Sequence, residues 1–209
     1  MSEGWIEEQL VARGVRDLRV LDAMRRVPRA AFVPPDARPH AYDDRALPIG
    51  SGQTISQPYM VAAMTEALRL TGTERVLDVG TGSGYQAAVL AELAREVITI
   101  ERRPELAEAA LATLGALGYG SVQVLVGDGT LGSPAHAPFD GILVAAGAPR
   151  VPEALRRQLS GNNGRLVIPI GPPEQQYLVI VTRDGDRFTE SRGVGCVFVP
   201  LLGAEGWPS

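Results

Sequence analysis

The sequence predicts an α/β fold: a doubly wound, mostly parallel sheet of about seven strands, with an N-terminal helical extension and a C-terminal antiparallel hairpin. Three observations carry this. The run RVLDVGTGSGYQ at 75–86 reads as an apolar strand, a glycine turn and the start of a helix. From there to residue 170, short β-branched runs alternate with helical stretches, the rhythm of a parallel sheet with helices on both faces. Beyond it, 177–182 and 188–198 are joined by Arg183-Asp184-Gly185-Asp186, and Asp-Gly between β-rich runs signals a hairpin.

Taken in order, the first elements are two helices separated by Gly14. Trp5, Ile6, Leu10 and Val11 form one apolar face, and Val15, Leu18, Leu21 and Met24 another. The stretch 27–58 carries Pro28, Pro34, Pro35, Pro39, Pro48 and Pro58, which excludes a long regular element. Its apolar residues Phe32, Val33, Tyr42, Leu47 and Ile49 argue for a packed lid or substrate wall. A helix over 57–70 follows, with Ser56 placed to cap it and Met60, Val61, Met64 and Leu68 as a core stripe. Strands are expected at 97–100, 122–126, 139–145 and 165–170, and helices at 105–117 and 151–159.

With 209 residues, a prior of ~150 per domain favours one domain over 1–209. It divides into N-terminal helices and loop (1–70), core (71–171) and hairpin (172–209). No apolar run approaches the ~18 residues of a membrane helix, and MSEGWIEEQL lacks the basic and apolar regions of a secretory signal, so a cytoplasmic protein away from membranes is expected. One cysteine, Cys196, and two histidines, His40 and His136, make a disulfide or structural metal unexpected. The net charge of −4 with scattered arginines argues against a nucleic-acid partner. All 20 basic residues are arginine, which excludes a P-loop lysine, a Schiff base or a lysine general base. No heptad or long apolar edge is visible, so a monomer is expected.

The glycine turn carries the first chemistry. Glycines let the backbone approach a ligand closely, and a helix start favours negative charge. The dinucleotide pattern is G-x-G-x-x-G; here the third glycine comes one residue early and Asp78 sits inside the strand end. The spacing favours S-adenosyl-L-methionine (SAM), with a nicotinamide or flavin cofactor, or no ligand, as alternatives. In open α/β sheets ligands lie beyond the carboxyl ends of the strands, where Asp78, Glu101 and Asp128 stand. Glu101, seventeen residues after Gly84, suits ribose hydroxyls, or is a surface acid paired with Arg102 or Arg103. Asp128, between Gly127 and Gly129, suits the adenine amino group, or closes an Asx turn.

The segment LPIGSGQTISQP at 47–58 offers hydroxyls and amides between glycines and no strong acid or base. Alone it reads equally as a helix entry. Together with VPRAAFVP at 27–34, VLDVGTGSGYQAAVLAEL at 76–93, TIERRPELAEAA at 99–110, GDGT at 127–130, APFDGILVAAGAP at 137–149, GRLVIPIG at 164–171 and FVPLLG at 198–203, it closely resembles the protein-L-isoaspartate O-methyltransferases, a family with the Rossmann-like SAM methyltransferase fold.

The resemblance implies methyl transfer from SAM, leaving S-adenosyl-L-homocysteine, to the α-carboxyl of L-isoaspartyl residues in damaged proteins and peptides. By position, Ser56 matches the active-site serine, with Thr54, Ile55 and Gln57 around the reacting centre as cofactor contacts. Gly80, Thr81, Gly82, Ser83 and Gly84, after Asp78, match the methionyl cradle, Glu101 the ribose acceptor, and Asp128 with Gly129 the adenine contact. Phe198, Val199, Pro200 and Leu201 match a terminal strand lining the substrate cleft. Gly132-Ser133 and Gly161-Asn162-Asn163-Gly164 depart from the family pattern, the first at a possible cleft wall. Rivals are a carboxyl methyltransferase acting on normal Asp, a SAM-binding protein without turnover, and a nicotinamide oxidoreductase.

Overall fold

The computed structural model describes residues 4–208; residues 1–3 and 209, part of the expected 1–209 unit, lie outside them. Helix α1 (Gly4–Ile6) runs on as a π-helical turn (Glu7–Val11), and α2 (Leu18–Arg26) starts on Asp17, whose side chain accepts from the Arg19 N–H at 2.9 Å. Ile6, Leu10, Val15, Leu21 and Met24 are buried as expected, but Leu18 is 72% exposed. Position 18 is the first residue of α2, where Val20 and Ala23 take the inward face instead.

The proline-rich stretch contains only two 3-10 turns (Arg29–Phe32 and Pro35–His40) and a small hairpin, β1 (Leu47–Gly50) with β2 (Gln53–Ile55). Helix α3 (Pro58–Leu68) is capped by Gln57 rather than Ser56, and no side-chain capping bond forms. Proline at the first helical position needs no N–H partner and presets φ, which substitutes for a cap. Met60, Val61, Met64 and Leu68 are all buried.

The sheet then follows in sequence: β3 (Arg75–Val79), α4 (Tyr85–Ala91), β4 (Glu96–Glu101), α5 (Pro104–Ala116), β5 (Gln123–Val126), β6 (Gly141–Val144), α6 (Glu153–Arg157), β7 (Asn162–Ile170), β8 (Gln176–Asp184) and β9 (Arg187–Cys196). Its order is β5-β4-β3-β6-β7-β8-β9, parallel through β7 and antiparallel across β8 and β9. The seven strands and terminal hairpin match the expected class. Side chains alternate between two apolar layers, with Val76 of β3 in one and Leu77 and Val79 in the other. Each fully buried Leu or Ile there contributes about 1.5–3 kcal/mol.

Two differences bear on the site. β9 ends at Cys196, and 198–202 is no strand: it makes only isolated bridges, Gly147 with Pro200 and Leu202 with Trp207. Pro200 has no N–H to extend a ladder. Cys196 is half-buried, and burial raises its thiol pKa to about 11. The loop 161–164 largely joins β7, with a register shift at Asn162/Gly164 and Asn163 left-handed at φ 56°.

Candidate functional site

The chain passes from β3 outward to β4 and β5, then returns to the far side of β3 as β6, which places the topological switch point at the carboxyl ends of β3 and β6. A cavity of about 400 Å³ opens there, within the range of small-molecule sites. One wall is the turn Gly80-Thr81-Gly82-Ser83 after β3. Another is Glu101 to Glu105 at the end of β4 and the start of α5, with Gly129 after β5. Gln53 to Ser56 of the β1–β2 arm and Val199 to Leu202 of the tail close it.

Of the residues expected from the sequence, Thr54, Ile55, Ser56, Gly80, Thr81, Gly82, Ser83, Glu101, Gly129, Val199, Pro200 and Leu201 line the cavity. The Ser56 hydroxyl makes no hydrogen bond to another group among the described residues. Glu101 is 7% exposed; its Oε2 accepts the Gly82 N–H at 2.9 Å and its Oε1 the Arg103 N–H at 3.0 Å. Arg103, one of the two arginines offered as a surface partner for Glu101, lies 3.9 Å from the Glu105 carboxylate.

Five expected residues stand behind the cavity instead of lining it. Asp78 has no exposed surface; its Oδ2 accepts from the Thr99 hydroxyl at 2.8 Å, and Thr99 lies 2.6 Å from the Thr81 hydroxyl. Since Thr99 spends its one proton on Asp78, Thr81 donates to Thr99, and the acid braces the turn from below. Burial pushes the Asp78 carboxyl up to about 7, opposed by the Thr99 bond and reinforced by the Glu101 charge. Gly84, at φ 89°, caps α4 and packs on α5: a Cβ there would lie 3.2 Å from Leu114 Cγ. The third glycine thus serves helix packing despite its early spacing.

Asp128 closes an Asx turn. Its Oδ1 accepts from the Thr130 N–H at 2.9 Å and the Thr130 hydroxyl at 2.6 Å, and its Oδ2 from the Ala204 N–H at 2.8 Å. Burial works against its charged form, but these bonds and the Arg102 charge outweigh it and lower its pKa. What reaches the cavity is Gly129, where a Cβ would sit 2.5 Å from Val79 Cγ1. Gln57 donates through Nε2 to the Asp44 carbonyl at 3.0 Å. Phe198 is held behind the tail by Gln176, whose amide exchanges bonds with the Phe198 N–H at 2.9 Å and carbonyl at 3.3 Å. Gly132 and Ser133 stand away from the cavity, against Gln158, and Ser133 donates its N–H to that side chain at 2.8 Å.

Val61, Tyr85, Gln86 and Ala145–Ala146 also stand on the walls, with Gln176 buried behind them, beyond the site residues expected from the sequence. Only the position of Tyr85 and Gln86 directly after the glycine turn offered a signal. Ile49, a packed residue as expected, finds its partner in the glycine turn: its Cδ1 would lie 3.3 Å from a Cβ at Gly82, so the β1–β2 arm rests on that turn. Ser51 at the arm's tip donates to Glu105 of α5 at 3.2 Å.

The protein-L-isoaspartate(D-aspartate) O-methyltransferase family model matches residues 3–206. Protein-L-isoaspartate O-methyltransferase 2 of Marinobacter nauticus is 60% identical over 202 residues, 96% of this chain and 92% of that one. A protein-L-isoaspartate O-methyltransferase of Roseiflexus sp. is 57% identical over 198 residues, 95% and 90% of the two chains. Among solved structures, a protein-L-isoaspartate O-methyltransferase superposes with a TM-score of 0.86 at 28% identity, covering 98% of this chain and 67% of that one. A Plasmodium falciparum structure described as a protein-L-isoaspartate O-methyltransferase in complex with S-adenosyl-L-homocysteine gives 0.80 at 27% identity, covering 96% and 97%.

Proposed function

The chain belongs to the protein-L-isoaspartate(D-aspartate) O-methyltransferase family, and from that premise we propose how its own residues divide the work of the reaction. It is a SAM-dependent protein carboxyl O-methyltransferase, acting on the α-carboxyl of L-isoaspartyl residues in damaged proteins. The observation that carries the division of labour is that the glycine turn with Glu101 and the arm ending at Ser56 face one shared cavity.

The residues fit the donor. A carboxylate already fixed by two backbone N–H groups keeps further lone pairs for ribose hydroxyls. Gly129, pressed on Val79, leaves a bare surface for a flat ring. The Gly80–Ser83 turn would hold the methionyl end, and Asp78, Gly84 and Asp128 would keep these groups in place without touching the ligand. SAM supplies an electrophilic methyl on a sulfonium; transfer converts it to the thioether S-adenosyl-L-homocysteine and the substrate carboxylate to a methyl ester.

An isoaspartyl carboxylate is ionised at neutral pH, with an unperturbed pKa near ~4, so no general base is required. Alignment is the main need, and positioning can contribute roughly 7–11 kcal/mol at its extreme. Ser56, its hydroxyl uncommitted, orients the carboxylate from the arm side and is not a covalent nucleophile. Thr54, Ile55, Val199, Pro200 and Leu201 shape the substrate cleft, with Gln57 and Phe198 anchoring its two sides.

We further propose a cytoplasmic monomer that does not bind nucleic acid, organised as 1–70, 71–171 and 172–209 within one unit. The acidic balance of −4 supports this reading, and among the described residues no helix is long and apolar enough to cross a membrane. The test is methyl transfer from labelled SAM to an isoaspartyl peptide and to its normal-Asp twin. Strong preference for the isoaspartyl form is expected; equal or reversed preference sinks the substrate assignment.

A further inference from the structure

Of the acidic and basic side chains among the described residues, only Asp78 and Arg29 have no solvent exposure. Asp78 braces the cofactor turn, whereas Arg29 lies outside the cavity wall. Its Nε donates to the Ala41 carbonyl at 2.7 Å, while Nη1 and Nη2 are buried without a hydrogen-bond partner among the described residues. Burial accordingly holds its pKa below the ordinary arginine value, against the opposing influence of Tyr85 and Tyr42.

A guanidinium with five N–H donors, one of them hydrogen-bonded among the described residues, is costly to bury, and the single Ala41 bond offsets only part of that cost. Burial by itself therefore gives no reason for arginine here. Its two contacts do. On one side the guanidinium lies 5.0 Å from the ring centroid of Tyr85, which follows Gly84, begins α4 and lines the cavity. Phe32, from the same 3-10 turn as Arg29, packs edge-on against that ring at 5.5 Å.

On the other side, the Ala41 carbonyl opens a turn at 41–44 that is gripped from several elements. Gln9 donates to the Tyr42 carbonyl at 2.9 Å, Gln57 to the Asp44 carbonyl at 3.0 Å, and Arg13 pairs with the Asp44 carboxylate at 2.6 Å. The chain leaving this turn forms the β1–β2 arm and ends at Ser56, and Gln57 returns to the turn's far end. One buried side chain thus spans the root of the substrate wall and the helix start behind the cofactor turn.

We propose that Arg29 is a positioning residue for methyl transfer, setting the spacing between the arm that carries Ser56 and the helix start at Tyr85. It rests on the cofactor and substrate assignments above and assigns Arg29 no contact with either ligand. The variant Arg29→Met removes the charge and the Ala41 bond while keeping an unbranched side chain. The orphaned Ala41 carbonyl and the removed buried charge act in opposite directions, so its thermal midpoint is expected to stay near that of the wild type, while kcat for an isoaspartyl peptide falls roughly tenfold to a hundredfold, the scale of a small misplacement of reacting groups. Arg29→Lys keeps a charged donor but loses the planar fork over the ring, and should fall between the two.

A folded Arg29→Met protein with wild-type kcat, KM values and S-adenosyl-L-homocysteine affinity overturns the proposal. Should Arg29→Met not fold, Arg29→Lys decides, and wild-type kinetics there overturn it as well. A wild-type enzyme inactive on the isoaspartyl peptide would count against the substrate assignment instead. Arg29 would then be judged by calorimetry with S-adenosyl-L-homocysteine, where an unchanged Kd in the folded Arg29→Met variant overturns the role.

Discussion

Gly82 donates its backbone N–H to the Glu101 carboxylate at 2.9 Å, tying the turn after β3 to the end of the neighbouring strand β4. Glu101 therefore shapes the turn as well as facing the cavity. Glu101→Ala leaves the Gly82 and Arg103 N–H groups without their acceptor, at about 1–3 kcal/mol. S-adenosyl-L-homocysteine should bind roughly 10- to 100-fold more weakly by calorimetry, and a Kd within twofold of wild type would refute the assignment.

Ser56 lines the cavity with its hydroxyl uncommitted, so truncation removes the proposed orienting contact and orphans no group among the described residues. Ser56→Ala should lower kcat for an isoaspartyl peptide about tenfold or more, with thermal stability and the KM for SAM near wild type. Unchanged turnover rules out an orienting role.

Gly129 admits no side chain, because a Cβ would press to 2.5 Å on Val79 Cγ1 of β3. Overpacking of this kind costs typically about 1–3 kcal/mol. Gly129→Ala should show a lowered thermal midpoint together with weakened cofactor binding, since relief requires moving either the strand or the cavity floor. Retention of both properties would show that the backbone there yields freely.

Asp78 gives a pH dependence whose sign follows from its raised pKa. The unfolded group ionises near 3.8 and the folded one near 7, so between these values folding takes up a proton. The contribution of Asp78 favours the folded state most at low pH and is lost as pH rises from about 4 to about 7, by an amount on the order of a few kcal/mol. Denaturant unfolding of wild type and Asp78→Asn, compared from pH 5 to 8, should show the variant gaining relative stability as pH rises. A pH-independent difference would mean that Asp78 is ionised throughout.

The strand, turn and helix at 75–91 were legible because their signals are local. The apolar run, the glycines and the following helix lie in contiguous residues, and strand-end acids fall at the switch point in any sheet of this class. Less legible was what each acid or glycine does. Asp128 reads as an adenine contact, with an Asx turn as the alternative, and only the structure shows Thr130 and Ala204 bonded to its two oxygens. The tail at 198–201 reads as a strand, yet its backbone is held by Gln176 and Gly147 without a continuous ladder.

By itself the sequence determined the sheet class, the strand, glycine turn and helix at 75–91, the strand-end place of Glu101 and the family, since periodicity and motif spacing depend on neighbours along the chain. Only the tertiary structure decided that the β1–β2 arm rests on Gly82, that Gly84 packs against Leu114, and that the buried guanidinium of Arg29 reaches from Ala41 to Tyr85. Those contacts join residues tens of positions apart, and their geometry is set by close packing of side chains from different elements, which no local pattern encodes.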